Sequence, residues 1–246
     1  MDTVRVVHAI GRESDGIIVL CFEKANCTQV AHAAFKRLGV LDEALRFDRF
    51  VHEWRWKRYA NSSLAPTLGG IRDANRRGCT TIKFVRDPVD RFRSTLSHFR
   101  RHGLSWVNVP VSDVERATHL APETIDAVLD ALERTGVDRY KSGVDVHAAS
   151  QHIPGEDDDM WTEIVHVETL RDARVRRRLL ETYGLEFDDA FTSPHWVGHR
   201  YHLRPDQISR VKKLYECDVR YAYSTMCESD ASHATHATHA TDATDE

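Results

Sequence analysis

The chain has 246 residues, 41% hydrophobic, enough length and apolar content to predict one main α/β domain with a substantial core. Its formal net charge of −4 excludes a protein that coats nucleic acid by bulk electrostatics, although arginines cluster at 91 to 101 and 171 to 178. No apolar run reaches bilayer length and the start, MDTVRVVHAIGRESDG, lacks a signal-peptide core, so a soluble, cytoplasmic protein without an integral membrane segment is expected.

Val4 to Ala9 reads as an edge strand and Gly16 to Phe22, GIIVLCF, as the first buried parallel strand. After Glu23, Lys24, Ala25, Asn26, Cys27 and Thr28, helical spacing of Val30, Ala31, Ala34, Phe35 and Leu38 predicts a helix stopped by Gly39. Strand, loop and helix form a phosphate-binding kind of corner, yet the loop lacks GxxxxGK[ST], which weakens an ATPase reading. Leu41 to Tyr59 predicts a helix, read first as a surface helix with its aromatics turned inward and second as one over the active face, and Asn61 to Gly78, with Pro66 and Gly69-Gly70, predicts a loop.

Thr80 to Val85 is the second central strand and runs into FVRDPVDRFRSTLSHF. Asp87 suits an N-cap and Pro88 the first helical position. Val89, Phe92, Leu96 and Phe99 make one apolar stripe, with Arg91, Ser94, Thr95 and His98 on other faces. Arg86 thus stands at a strand end beside a helix N-terminus, a place that suits an anion as well as an ordinary strand-to-helix corner.

Residues 101 to 121 carry no clear pattern. Pro122 opens a helix with Ile125, Val128, Leu129 and Leu132 on one face and Gly136 beyond it. Tyr140 to Gln151, YKSGVDVHAASQ, lacks helical periodicity and gathers Asp145, His147 and Gln151. Trp161 to Val167 reads as a third strand, Glu168 to Tyr183 as a helix, and Pro205 as the start of a last one carrying Ile208, Val211, Leu214 and Tyr215. The domain is therefore placed at 1–227, and the HAT-repeat acidic tail, 228–246, is expected to be disordered. Cys21, Cys27, Cys79, Cys217 and Cys227 are odd in number without a CxxC pair, so neither zinc nor a disulfide framework is suggested.

Strands alternating with helices predict a central, mostly parallel sheet flanked by helices, with ligands at the strand carboxyl ends, where Lys24 and Arg86 fall. Two such corners, EKANCTQV at Glu23 to Val30 and RDPVDRFRS at Arg86 to Ser94, resemble the cofactor site of the carbohydrate-type sulfotransferases. These use 3′-phosphoadenosine 5′-phosphosulfate (PAPS), and their corners usually read PKxxCTxx and RDPxxRxxSxY. DVHAASQ at Asp145 to Gln151, HVETL at His166 to Leu170 and LYECDVRYAY near the end echo further family stretches in the family's order. Glu23 in place of the usual proline and Leu96 in place of a frequent tyrosine are departures.

The resemblance implies a P-loop-like three-layer fold and transfer of a sulfuryl group from PAPS to a hydroxyl of a carbohydrate or similar acceptor. It implies Lys24 at the bridging oxygen, the amides of Ala25, Asn26, Cys27 and Thr28 at the 5′-phosphate, and Arg86 and Ser94 at the 3′-phosphate. His147 becomes the first choice of base, with Asp145 to orient it; His52, Glu53, His98 and His152 stay open. No metal is expected. Trp54, Arg55, Trp56 and the region from Arg100 to Trp106 are candidates for an acceptor groove. A P-loop-like nucleotide kinase or hydrolase, and a non-catalytic module for anionic glycans or nucleotides, are the competing functions.

Overall fold

The structure is a computed structural model that describes residues 6, 8–60, 66–102, 109–139, 144–188 and 201–219. Its centre is a four-stranded sheet of β1 (Ala9–Ile10), β2 (Ile17–Cys21), β3 (Thr80–Val85) and β4 (Glu163–His166), in that spatial order. β2 pairs parallel to β3 from Ile17↔Thr80 to Cys21↔Phe84, and β3 parallel to β4 from Ile82↔Glu163 to Val85↔His166. β1 pairs antiparallel to β2. The fold is α/β with a mostly parallel sheet, as the alternating pattern predicts.

Alternation along the strands sorts the two faces. Ile17, Val19, Cys21, Ile82, Phe84 and Val165 join one core cluster with Val30, Ala34 and Phe35 of α1 (Cys27–Arg37) and Leu179 of α8 (Ala173–Tyr183). Ile18, Leu20 and Phe22 join another with Leu68, Ile71 and Ala74 of α4 (Leu68–Arg76). Lys83 points the same way as this second set and is fully buried; its ammonium lies 2.5 Å from Glu156 and 5.7 Å from the rings of both Phe22 and Trp161. A third cluster forms where α5 (Pro88–His102), α7 (Pro122–Thr135) and α9 (Pro205–Leu214) meet, through Phe92, Leu96, Phe99, Val128, Leu132 and Val211.

Several expectations need correction. The edge strand is at Ala9–Ile10, later than read; residues 4, 5 and 7 lie outside the described set. The segment 41–59 is broken into α2 (Leu41–Phe47) and α3 (Val51–Arg55), followed by a wider turn at Trp56–Ala60, because Asp48 is extended (φ −154°, ψ 142°). The expected loop at 61–78 contains α4, capped by Thr67, whose hydroxyl accepts from the Gly70 amide at 3.0 Å. The helix read from Glu168 begins at Ala173, after a 3₁₀ turn at Val167–Arg171, with Asp172 as its N-cap. α6 (Asp113–Ala117) falls in the stretch without a clear pattern, capped reciprocally by Ser112 and Glu115. The tail and Trp106 lie outside the described residues.

Candidate active site at the strand carboxyl ends

Parallel pairing puts the ends of β2, β3 and β4 on one side, so Glu23-Lys24, Arg86 and Val167-Glu168 emerge together there. They border a cleft of about 1390 Å³. Lys24, Asn26, Cys27, Thr28, Arg86, Ser94 and His147 all line it. Residues read from three separate stretches of sequence are thereby brought into one cavity.

The first corner turns sharply. Lys24 (φ 64°) and Asn26 (φ 56°) occupy the left-handed region, which an L side chain enters at a cost and which strained functional loops often use. Ala25 is fully buried and its N–H donates to the Phe22 carbonyl at 3.1 Å, closing the turn. Of the four amides expected to face an anion, Ala25's is therefore already committed. The amides of Asn26, Cys27 and Thr28 have no carbonyl partner among the described residues and open α1, where the helix dipole adds to their pull on negative charge.

Burial lowers the Lys24 ammonium from 10.5 to about 8, and Arg101, Arg86 and Arg91 push it the same way. Among the described residues no carboxylate pairs with it. Glu23, the residue that departs from the family pattern, places its carboxylate in a buried group of His8 (2.8 Å), Arg139 (3.1 Å) and Arg55 (3.5 Å). Burial alone would raise it, but these basic neighbours hold it well below the usual carboxylate range.

The second corner is as the sequence predicts at its cap: Asp87 Oδ1 accepts from the amides of Val89 and Asp90, both at 2.9 Å. Arg91 and Thr95 are buried along with the apolar stripe, which sequence spacing did not anticipate. Arg91 Nε donates to the Glu23 carbonyl (3.1 Å) and Arg86 Nη1 to the Lys24 carbonyl (2.9 Å), so the two corners are bonded to each other. Arg86 Nε lies 3.8 Å from Glu168, whose carboxylate also accepts from the Asp87 amide at 3.1 Å. Arg86 Nη2 and the Ser94 hydroxyl have no hydrogen-bond partner among the described residues.

Behind Arg86 stands Gln151. Its side chain accepts from the Arg86 amide (2.9 Å) and donates to the Arg86 carbonyl (2.8 Å), mimicking a strand partner. Asp218 in turn accepts from the amides of Gln151 (2.9 Å) and His152 (2.9 Å) and from the Ser150 hydroxyl. Gln151 and Asp218 belong to stretches that echo the family, and the structure gives both the job of fixing Arg86.

His147 is oriented by Asp145, whose Oδ1 accepts from the His147 amide (2.8 Å) and meets its Nδ1 (2.7 Å). Nε2 has no partner among the described residues. The ring stacks on His98, centroids 3.8 Å apart. Burial, together with Lys24, His147 and His102, lowers His98 to about 3. His52 is lowered to about 3 by burial and Arg55, and its Nε2 lies 3.1 Å from the Thr28 hydroxyl and 3.4 Å from Cys27 Sγ. Glu53 and His152 do not line the cleft. Of the open bases, only His147, which lines the cavity, joins a carboxylate-held ring to a nitrogen without a partner among the described residues.

Trp54 is buried in the core, so of the acceptor candidates Arg55, Trp56, Arg101 and His102 are the ones that reach the cleft among the described residues. Arg171 and Arg176, which sequence reasoning noted only within the basic cluster at 171 to 178, also line it; Arg139 was missed, since no local motif flags it. Comparison with protein-family models, with curated proteins and with solved structures finds no match for this chain. Among the described residues no helix is long and apolar enough to cross a membrane.

Proposed function

We propose that the chain is a PAPS-dependent sulfotransferase acting on a hydroxyl of a carbohydrate or similar acceptor, on a P-loop-like framework. One observation carries the reading: the Lys24 loop, Arg86, Ser94 and His147 converge on one cleft, the two anion corners being joined by the bond from Arg86 to the Lys24 carbonyl. The residues fit such a co-substrate in kind. Amides at a helix N-terminus without a carbonyl partner among the described residues suit a phosphosulfate, and an arginine and a serine lining the same cleft, with Nη2 and the hydroxyl unengaged among the described residues, suit a second phosphate.

When bound, PAPS supplies an activated sulfuryl group whose transfer leaves negative charge on the departing phosphate. Lys24 and the amides of Asn26, Cys27 and Thr28 offer positive charge and donors for that end, fixed in advance by the strained turn. Arg86 and Ser94 hold the 3′-phosphate end and thereby distinguish it from a nucleotide lacking that group. His147 Nε2 takes the proton of the acceptor hydroxyl while Asp145 holds Nδ1. As with phosphoryl transfer, the protein's contribution is positioning and charge stabilisation.

The test is calorimetry with 3′-phosphoadenosine 5′-phosphate (PAP) against AMP. Tight PAP binding and weak AMP binding is expected; equal affinities point to a nucleotide kinase or hydrolase, and no binding ends the reading. In a transfer assay His147→Ala is expected to keep PAP affinity and to lower kcat by roughly 10²–10⁴-fold. Wild-type turnover in that variant would remove His147 from the mechanism.

A further inference from the structure

Glu23 stands where the resembling family usually carries proline, and the structure gives it a place proline could not fill. Its carboxylate meets basic groups from three separate segments: His8 before β1, Arg55 on α3 and Arg139 after α7. Arg139 alone among them also reaches the other side of the site. Nη1 donates to Glu23 Oε2 at 3.1 Å, and Nη2 donates to the Val146 carbonyl at 3.0 Å. That carbonyl belongs to the peptide bond joining Val146 to His147.

A guanidinium is planar and its two terminal nitrogens are fixed relative to each other. One rigid group therefore spans from the residue before Lys24 to the peptide before His147. At the first end, Arg91 and Arg86 hold the carbonyls of Glu23 and Lys24. At the other, the His147 amide is bonded to Asp145 and its carbonyl accepts from Thr95 Oγ1 at 2.6 Å. Arg139 is buried, 6% exposed in its side chain; its Nη1 serves Glu23 and also lies 3.0 Å from His8 Nε2, its Nε has no partner among the described residues, and its second terminal nitrogen, Nη2, goes to the Val146 carbonyl. Compensating a buried carboxylate needs only a cation, and buried pairs are weak stabilisers in their own right. The second contact is what charge compensation leaves unexplained.

We propose that Arg139, anchored on Glu23, is a positioning residue that sets the placement of His147 relative to the Lys24 loop. The kinetic consequence rests on the sulfotransferase reading; the geometric one does not. Arg139→Lys separates the two roles, because lysine keeps a cation for Glu23 but cannot hold two acceptors in the guanidinium's fixed geometry. In this variant the unfolding midpoint is expected to stay near wild type, while the His147 ring-nitrogen resonances shift in NMR spectra of labelled protein. kcat is expected to fall by roughly tenfold or more with PAP affinity and acceptor KM unchanged, since small misplacements of reacting groups carry such factors.

Arg139→Lys with wild-type His147 resonances and wild-type kcat would overturn the proposal. Should Arg139→Lys fail to fold, the paired change Glu23→Gln with Arg139→Met removes both charges together, and the same readouts apply. Should the wild-type protein neither bind PAP nor transfer a sulfuryl group, the function proposed above falls. The NMR arm then still decides whether Arg139 places His147.

Discussion

Lys24 sits among cations, with Arg86, Arg91 and Arg101 near enough to depress its ammonium to about 8 alongside the effect of burial. A ligand that needs this charge must therefore weaken as pH rises through that value, because the folded protein loses the proton there. PAP affinity is expected to fall between about pH 7 and 9, and Lys24→Arg, which keeps its charge across that range, is expected to flatten the dependence. An unchanged slope in Lys24→Arg would place the titrating group elsewhere. Asn26 carries a conformational cost in the same loop. Asn26→Gly is expected to retain PAP binding, whereas Asn26→Ala is expected to lose about 1 kcal/mol in urea unfolding, the penalty of a left-handed residue with a Cβ and no local polar side chain. The places of Lys24, Arg86 and Ser94 along the cleft were legible in the sequence because each follows a recognisable strand or lies in a helix with a clear stripe. Arg139 was not, since its partners Glu23 and Val146 are remote or unremarkable in sequence and only the folded chain juxtaposes them.

At the level of elements, periodicity revealed β2, β3, β4, α1, α5, α7 and α9, all of which bury a well-defined apolar face. It failed at α4, where Gly69-Gly70 reads as a break. Burial of Leu68, Ile71 and Ala74 against the sheet, with the Thr67 cap, outweighs a glycine cost of about 1 kcal/mol per residue. It failed again at Asp48, where charged and aromatic residues continue without interruption but the backbone extends. Gln151 shows how a loop residue substitutes for a strand: it satisfies both backbone groups of Arg86 just beyond the end of β3. Gln151→Leu leaves those groups unpaired and is expected to cost roughly 1–3 kcal/mol in stability and to weaken PAP binding through Arg86. Retained stability and affinity would show that Arg86 needs no such support.

Across the whole molecule, buried histidines set the response to acid. His8 is lowered from 6.5 to about 4 by burial, with Arg139 and Arg55 acting in the same direction; His52 is lowered from 6.5 to about 3 by burial and Arg55. Below pH 6.5 the unfolded chain takes up protons at these positions that the folded chain refuses, so stability falls as pH falls, by roughly 1.4 kcal/mol per pH unit for each group. Glu23, held well below its ordinary 4.5, adds loss in the same direction once the unfolded carboxyl begins to protonate. Urea midpoints should drop steadily between about pH 6.5 and 4, and His8→Gln should reduce the slope. The parallel pairing of β2, β3 and β4 carries a different consequence, in time. Ile17 pairs with Thr80 and Ile82 with Glu163, so the cleft exists only after two distant closures of the chain, the kind of contact that forms slowly. A ligand held by Lys24, Arg86 and His147 together has nothing to grip until both closures are complete. PAP should therefore prolong the life of the folded protein by slowing its unfolding, and leave the rate of refolding untouched.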